Sequence, residues 1–241
     1  MLNRNNVLIT ATIKPNTDVM VAVSDDKERL DTYVEMLRYW ILETSVDEIV
    51  FCENSNYEWS FTELIELAKC NDKKLEVLTF LSSGGAVEKG KGFAEGEIFS
   101  YAIENSVLIK KWTSFYKASG RIKVLNINKV FEKSQDFDCM GVLAAPRSQT
   151  MDTRFFKLSL EYFKENLIDA YREVNDSAGH YLEHAYFNKI KVVGGVAPFK
   201  VYPNIVGISG STGDSYNKSK LGLMMRQLAL WGGFYSLPFK V

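Results

Sequence analysis

Val7-Leu8-Ile9-Thr10-Ala11-Thr12-Ile13 is an apolar run rich in β-branched residues that stops at Lys14-Pro15-Asn16. A run of this length closed by a proline predicts a buried strand that ends in a loop. Downstream, residues 25–44 carry Leu30, Val34, Leu37, Trp40 and Ile41 at helical spacing with charges between them, which predicts a crossover helix. Residues 48–52 (EIVFC) predict a second buried strand, residues 59–69 a second helix and residues 75–81 a third strand. Strand, helix, strand, helix, strand with continuous apolar strand cores predicts a mostly parallel sheet covered on both faces, a three-layer αβα fold of the Rossmann-like type. Ligands of such sheets sit beyond the carboxyl ends of the strands, which singles out residues 10–14, 53–57 and 82–92.

Composition narrows the classes of function. With 241 residues, 46% hydrophobic and 13% aromatic, the chain can bury a large core, and residues 1–241 read as one domain. The 29 basic and 30 acidic residues leave a formal net charge of -1, so no global field favours nucleic acid or an anionic membrane, and an anionic ligand has to be held by local cations. Cys52, Cys70 and Cys139 lack metal-type spacing and fit a reducing compartment. The first residues, MLNRNNVLITATI, contain too short an apolar run for a signal peptide, and no later stretch approaches the roughly 20 apolar residues of a membrane span. A cytoplasmic protein is expected.

The remainder predicts a helix over 95–106 and strands at 115–117 and 122–125 flanking a Ser119-Gly120-Arg121 turn. A buried strand over 139–144, a long amphipathic helix over 155–174 and a further helix over 181–190 follow. In the last part, residues 207–241, a small-residue loop (Gly207 to Gly213) reads as a lid and residues 216–231 as a basic, Met/Leu-rich helix.

Six segments in fixed order carry a resemblance: LITATI (8–13), FCENSNY (51–57), GKGFAEGEIFSYAIENS (90–106), FYKASGR (115–121), MDTRFF (151–156) and VNDSAGHYLEH (174–184). Together they resemble a family of uncharacterised bacterial glycosyltransferases from polysaccharide and lipopolysaccharide gene clusters, over roughly the first 190 residues. The resemblance implies a GT-A (nucleotide-diphospho-sugar transferase) fold and transfer from a nucleotide-sugar donor to a glycan or lipid-linked oligosaccharide acceptor. In ordinary GT-A enzymes a metal-binding DXD ends the strand where this chain has FYKASGR, so Lys117 and Arg121 are expected to neutralise the donor phosphates, and neither magnesium nor manganese is expected to be required. The literal Asp136-Phe137-Asp138 precedes a predicted strand instead of following one and is expected on the opposite sheet edge.

The remaining candidates come from their places at strand ends and helix starts. Thr10, Thr12, Glu53 and Asn54 offer hydrogen bonds to a nucleotide, although Asn-Ser after a strand is also ordinary turn chemistry. The glycine-rich stretch Gly84 to Gly92 leads into a helix, so Lys91 and Gly92 are candidate phosphate contacts and Glu95 a ribose or sugar contact. Inverting transfer needs a carboxylate base. Glu183 is the first choice, with Asp152 and Asp176 as rivals, and Arg147, Arg154 and His184 are candidates for phosphate or acceptor binding.

Two other classes compete. His180-Tyr181-Leu182-Glu183-His184 matches the H-x-x-E-H spacing of zinc peptidases, but only Asp214 remains downstream as an acidic third ligand. A non-catalytic nucleotide- or sugar-binding module, or a domain that works with partner synthase domains or as a homodimer, is the other. Residues 216–231 combine Lys218, Lys220 and Arg226 with Leu221, Leu223, Met224, Met225 and Leu228, a pattern for peripheral contact with the inner membrane as well as for core packing.

Overall fold

The computed structural model describes residues 4–15, 25–209 and 213–238. Its centre is a five-stranded sheet in the order β3-β2-β1-β4-β6, with β1 (Asn6–Ala11), β2 (Glu48–Glu53), β3 (Lys74–Thr79), β4 (Ser114–Ser119) and β6 (Phe155–Ser159). The first four are parallel and β6 runs antiparallel to β4. β1 and β2 are buried at every residue, which is why their sequences read as unbroken apolar runs without alternation. The register aligns Ala11 with Glu53, Glu53 with Thr79 and Thr10 with Ser119, so the strands end level along one edge. The α/β class and mostly parallel sheet expected from the sequence are what the chain forms.

Helix α1 (Asp26–Leu42) starts where Asp25 caps the backbone N–H of Glu28 at 2.7 Å. Its buried stripe, Tyr33, Leu37, Trp40 and Ile41, packs on the sheet. Helix α2 (Thr62–Cys70) joins β2 to β3. The glycine-rich stretch after β3 is a short helix α3 (Gly84–Lys89), broken at Gly90 and followed at once by α4 (Lys91–Asn105). Gly90 has φ +100, and a Cβ there would sit 2.4 Å from Asp176 Oδ2, so only glycine fits. α4 therefore begins four residues earlier than expected, and Glu95 lies in its second turn.

The strands expected at 115–117 and 122–125 form on either side of the Gly120 turn but do not pair with each other: β4 joins the main sheet, while β5 (Ile122–Val124) pairs with β7 (Ile205–Gly207) in a separate two-stranded ladder. Two other expectations fail in the second half. Residues 139–144 form no strand. They add isolated bridges beyond β6, where Met140 exchanges backbone bonds of 2.7 and 2.8 Å with Lys157. The long helix over 155–174 is β6 followed by α6 (Leu160–Asn166), because Ser159 ends the strand and caps the helix by accepting from Tyr162 N–H at 3.0 Å. Helices α5 (Ile127–Lys133), α7 (Leu182–Val193) and α8 (Lys220–Trp231) complete the chain. The buried apolar residues form one contiguous cluster that reaches from Val7 to Leu237. Among the described residues no helix is long and apolar enough to cross a membrane.

Candidate functional site

A cleft of about 650 Å³ opens at the carboxyl edge of β1, β2 and β4, where the topology places it. Its floor is a fixed polar network. Lys117, in the middle of β4, is fully buried and its Nζ meets Glu95 Oε1 at 2.6 Å, Ser119 Oγ at 2.9 Å and the Thr153 carbonyl at 2.5 Å. Thr10 Oγ1 donates to the same Glu95 oxygen at 2.9 Å. Thr153 Oγ1 in turn donates to Glu183 Oε1 at 2.8 Å. The Lys117 ammonium therefore has its three hydrogens engaged inside the protein, and it supports the carboxylates instead of reaching a ligand. The expectation that Lys117 touches donor phosphate is corrected: its side chain is fully buried behind the cleft lining and its ammonium is bonded to residues of the protein.

Arg121, two residues past β4, does line the cleft, together with Lys91 and Arg29. The close turn that delivers Arg121 needs Gly120, where a Cβ would lie 2.6 Å from the Tyr33 ring and 2.7 Å from the Thr10 carbonyl. Burial, then repulsion from Arg121 and from Arg29, lowers the Lys91 ammonium to about 8, against the opposing pull of Asp176. Arg29 Nε donates to the carbonyls of Thr12 and Ile13, both at 2.9 Å, so it shapes the loop after β1 while adding positive field. Sequence reasoning overlooked Arg29 and Tyr33. The available signal was an arginine at i−4 from Tyr33 and i−8 from Leu37, on the apolar stripe of α1.

Several expected contacts turn inward. Glu53 is buried and ties the loops together, accepting from the N–H groups of Ile13 at 2.9 Å, Ser55 at 2.8 Å and Tyr57 at 3.2 Å. It is a scaffold for Asn54 and Thr12, which line the cleft and share a bond of 2.6 Å. Gly92 lines the cleft, but its N–H donates to Asp176 Oδ2 at 3.2 Å, so the start of α4 is capped by a carboxylate of the protein itself. Burial raises Asp176 above the ordinary carboxylate range, and its Oδ1 is buried without a hydrogen-bond partner.

Glu183 sits in the first turn of α7 and lines the cleft. Burial pushes its carboxyl up, with the Glu95 charge adding to the effect and the Thr153 hydroxyl opposing it. The rival Asp152 is buried and forms a two-point ion pair with Arg154, at 2.9 and 2.6 Å, outside the cleft lining. Its role is to hold Arg154, which lines the cleft with its guanidinium 4.5 Å from the Tyr216 ring centre. Burial opposes the Arg154 charge, yet Asp152 outweighs it and the pKa lies above its ordinary value. Arg147 and His184 do not reach the cleft lining. Arg147 is exposed and lies over Phe234 at 4.5 Å.

The H-x-x-E-H residues do not share one helix, because α7 begins only at Leu182. The ring of His180 bonds the Glu173 carbonyl at 2.9 Å, His184 Nδ1 accepts from Tyr181 N–H at 3.3 Å, and Glu183 turns into the cleft. Among the described residues no group of three or more His, Cys, Asp or Glu side chains could hold a metal. Asp136 and Asp138 are exposed, and Asp138 borders a surface hollow with Trp112 and Ser159 at the opposite edge of the sheet from the cleft, as expected. The carboxylates present therefore do not fit the metal-binding role of a DXD. The three cysteines are unpaired. Of the lid expected between Gly207 and Gly213, residues 210–212 lie outside the described residues.

No family model matches the chain, and no curated protein matches it. Among solved structures it is similar to a candidate nucleotide-diphospho-sugar transferase from Desulfovibrio desulfuricans, with 11% identity over 81% of this chain and 79% of that one and a TM-score of 0.47. A nucleoside-diphosphate-sugar pyrophosphorylase from Vibrio cholerae is 16% identical over 80% of this chain and 91% of its own, with a TM-score of 0.45. A cytidylyltransferase from Leptospira borgpetersenii is 12% identical over 85% and 77%, with a TM-score of 0.42. Likeness at this level assigns neither a family nor an activity.

Proposed function

We propose that the chain is a glycosyltransferase that moves a sugar from a nucleotide-activated donor to a glycan acceptor. The observation that carries the reading is the pairing, in one cleft, of a cation cluster with a buried carboxyl. Lys91, Arg121 and Arg29 gather in the lining, where burial and then the two guanidiniums depress the Lys91 ammonium, and Glu183, raised by burial, lines the same cleft from the first turn of α7. A dianionic diphosphate would relieve the first arrangement, and a general base uses the second.

In this reading the donor nucleotide lies over the ends of β1 and β2, where Thr12 and Asn54 offer hydrogen bonds. Lys91 and Arg121 neutralise the diphosphate as it departs with the electron pair of the broken anomeric C–O bond. Glu183 takes the proton of the acceptor hydroxyl as that oxygen attacks the anomeric carbon, and the configuration inverts. Thr153 donates to one Glu183 oxygen and so orients the carboxylate in the cleft that Glu183 lines. Glu95, pinned by Lys117 and Thr10, presents its second oxygen to a sugar or ribose hydroxyl. Arg154 serves the acceptor side. The product is a growing surface polysaccharide, O-antigen or capsule, assembled in the cytoplasm, and fixed cations take the place of a divalent metal.

The test is incubation of the purified protein with UDP-, GDP-, dTDP- and CMP-sugars in the presence of a chelator. Slow release of the free nucleotide from one donor is expected without acceptor, and Glu183→Gln is expected to keep binding and lose turnover about a hundredfold or more. Failure to act on any donor, or formation of a nucleotide-sugar from a nucleoside triphosphate and a sugar phosphate with release of pyrophosphate, would overturn it.

A further inference from the structure

Helix α8 carries apolar side chains on both sides, with Leu223, Ala229 and Leu230 packed on the core. Its inward side is fixed by polar bonds: Arg226 Nη1 donates to the hydroxyls of Tyr235 at 2.7 Å and Tyr202 at 3.0 Å, and Gln227 Oε1 accepts from Tyr202 N–H at 2.8 Å. Only Leu230 of this helix is buried. Outward it shows Leu221, Met224, Met225, Leu228 and Trp231, each at least half exposed. The spacing i, i+3, i+4, i+7, i+10 makes these side chains one continuous stripe. A stripe of this kind facing water costs free energy unless something covers it.

The charges around the stripe say what covers it. Lys218 and Lys220 are exposed at its amino end. At its carboxyl end the exposed Arg147 lies over the Phe234 ring and donates its N–H to the Phe234 carbonyl at 2.8 Å, in a left-handed conformation (φ 56) that non-glycine residues seldom adopt. Downstream of Glu183 the only acidic residue is Asp214. Cations at both ends of an apolar stripe, with a tryptophan at one end, match the boundary between acyl chains and anionic headgroups. A second copy meeting α8 through its own α8 would set the same cations against each other.

We propose that α8 and the adjoining Phe234 turn lie on an anionic lipid surface, with the stripe in the acyl boundary and Lys218, Lys220 and Arg147 against the headgroups. Tyr216, four residues before α8, lines the cleft, so the cleft opens beside the lipid surface. This inference is independent of the reaction carried out in the cleft.

Flotation of the full chain with vesicles tests it, using one part phosphatidylglycerol to three parts phosphatidylcholine against pure phosphatidylcholine. The protein is expected to float with the anionic vesicles and much less with the neutral ones. A Met224→Ser, Leu228→Ser, Trp231→Ser variant is expected to lose binding altogether, and Lys218→Gln with Lys220→Gln to weaken it on the order of tenfold. Unchanged circular dichroism and melting temperature would show that both variants fold. No flotation of the wild type would overturn the proposal. So would light scattering that shows a dimer which the triple variant converts to a monomer while neither binds vesicles.

Discussion

Lys117 Nζ and Glu95 Oε1 are 2.6 Å apart beneath the cleft, the cation fully buried and the carboxylate side chain 24% exposed. A lysine in the middle of a central strand is tolerated only because this partner, Ser119 and the Thr153 carbonyl use up its hydrogens. Removing one partner strands the other. Lys117→Met is expected to destabilise the fold by about 3 kcal/mol, the lower end of the range for a broken buried pair because Glu95 still meets some water. Adding Glu95→Gln should recover part of that loss, and urea unfolding of the single and double variants measures the coupling.

Arg121 belongs to the opposite class. It is only partly buried, and the close turn at Gly120 aims it into the cleft. Arg121→Ala is expected to leave the melting temperature within a degree or two while weakening diphosphate binding by about 1.5–3 kcal/mol, the worth of a charge-assisted hydrogen bond. Calorimetric titration with the nucleotide identified by the donor screen checks both halves.

Lys91 makes binding depend on pH. Its ammonium loses its proton near 8 in the free protein, through burial and the nearby Arg121 and Arg29, and a bound dianion raises that value. The site binds fully below pH 8, and the advantage is lost as pH rises through 8 toward the pKa of the complex. Nucleotide affinity should therefore be nearly flat from pH 6 to 7 and fall up to about tenfold per unit above 8. Lys91→Met should remove this fall, and titration in buffers of different ionisation heat should detect proton uptake at pH 8.5 in the wild type alone.

Glu183→Gln should be slightly more stable than the wild type at neutral pH. Burial raises the Glu183 pKa above its unfolded value, so the folded state favours the protonated form, and stability from this group is present at acid pH and lost as pH rises through the unfolded toward the folded pKa. Glutamine removes the charge and keeps an acceptor for Thr153. A gain of roughly 2–4 °C in melting temperature at pH 7.5 that disappears at pH 4 is expected.

Gly96 admits no side chain. A Cβ there would lie 2.0 Å from Tyr171 Cβ, where α4 crosses the turn after α6. Gly96→Ala is expected to cost about 3 kcal/mol or more by overpacking, and poor soluble yield at 37 °C with recovery at low temperature would report it.

The first half of the fold was legible because β1 and β2 are buried on both faces, which forces continuous apolar runs between helices of clear period. Residues 155–166 were not. Phe155, Phe156, Leu158, Leu160 and Phe163 satisfy both periods, and only Ser159, which caps α6, marks the change from strand to helix. Topology brings Thr10, Thr12, Asn54, Lys91, Gly92, Glu95, Arg121, Arg154 and Glu183 into the lining of one cleft at the strand ends. The reading of Lys117 missed a signal present in the sequence: FYKA is flanked by apolar residues on both sides, so the lysine had to share their burial. Arg147 was beyond sequence reasoning, since its place beside Phe234 comes from a contact between distant parts of the chain.

Calorimetric titration of UDP, GDP, dTDP and CMP into the wild type and into a Lys91→Met, Arg121→Met double variant tests the central claim most directly. At least one nucleotide should bind the wild type without added metal and bind the variant at least tenfold more weakly, with the fold unchanged. Equal affinity in the two proteins, or binding that appears only when magnesium or manganese is added, would contradict the account.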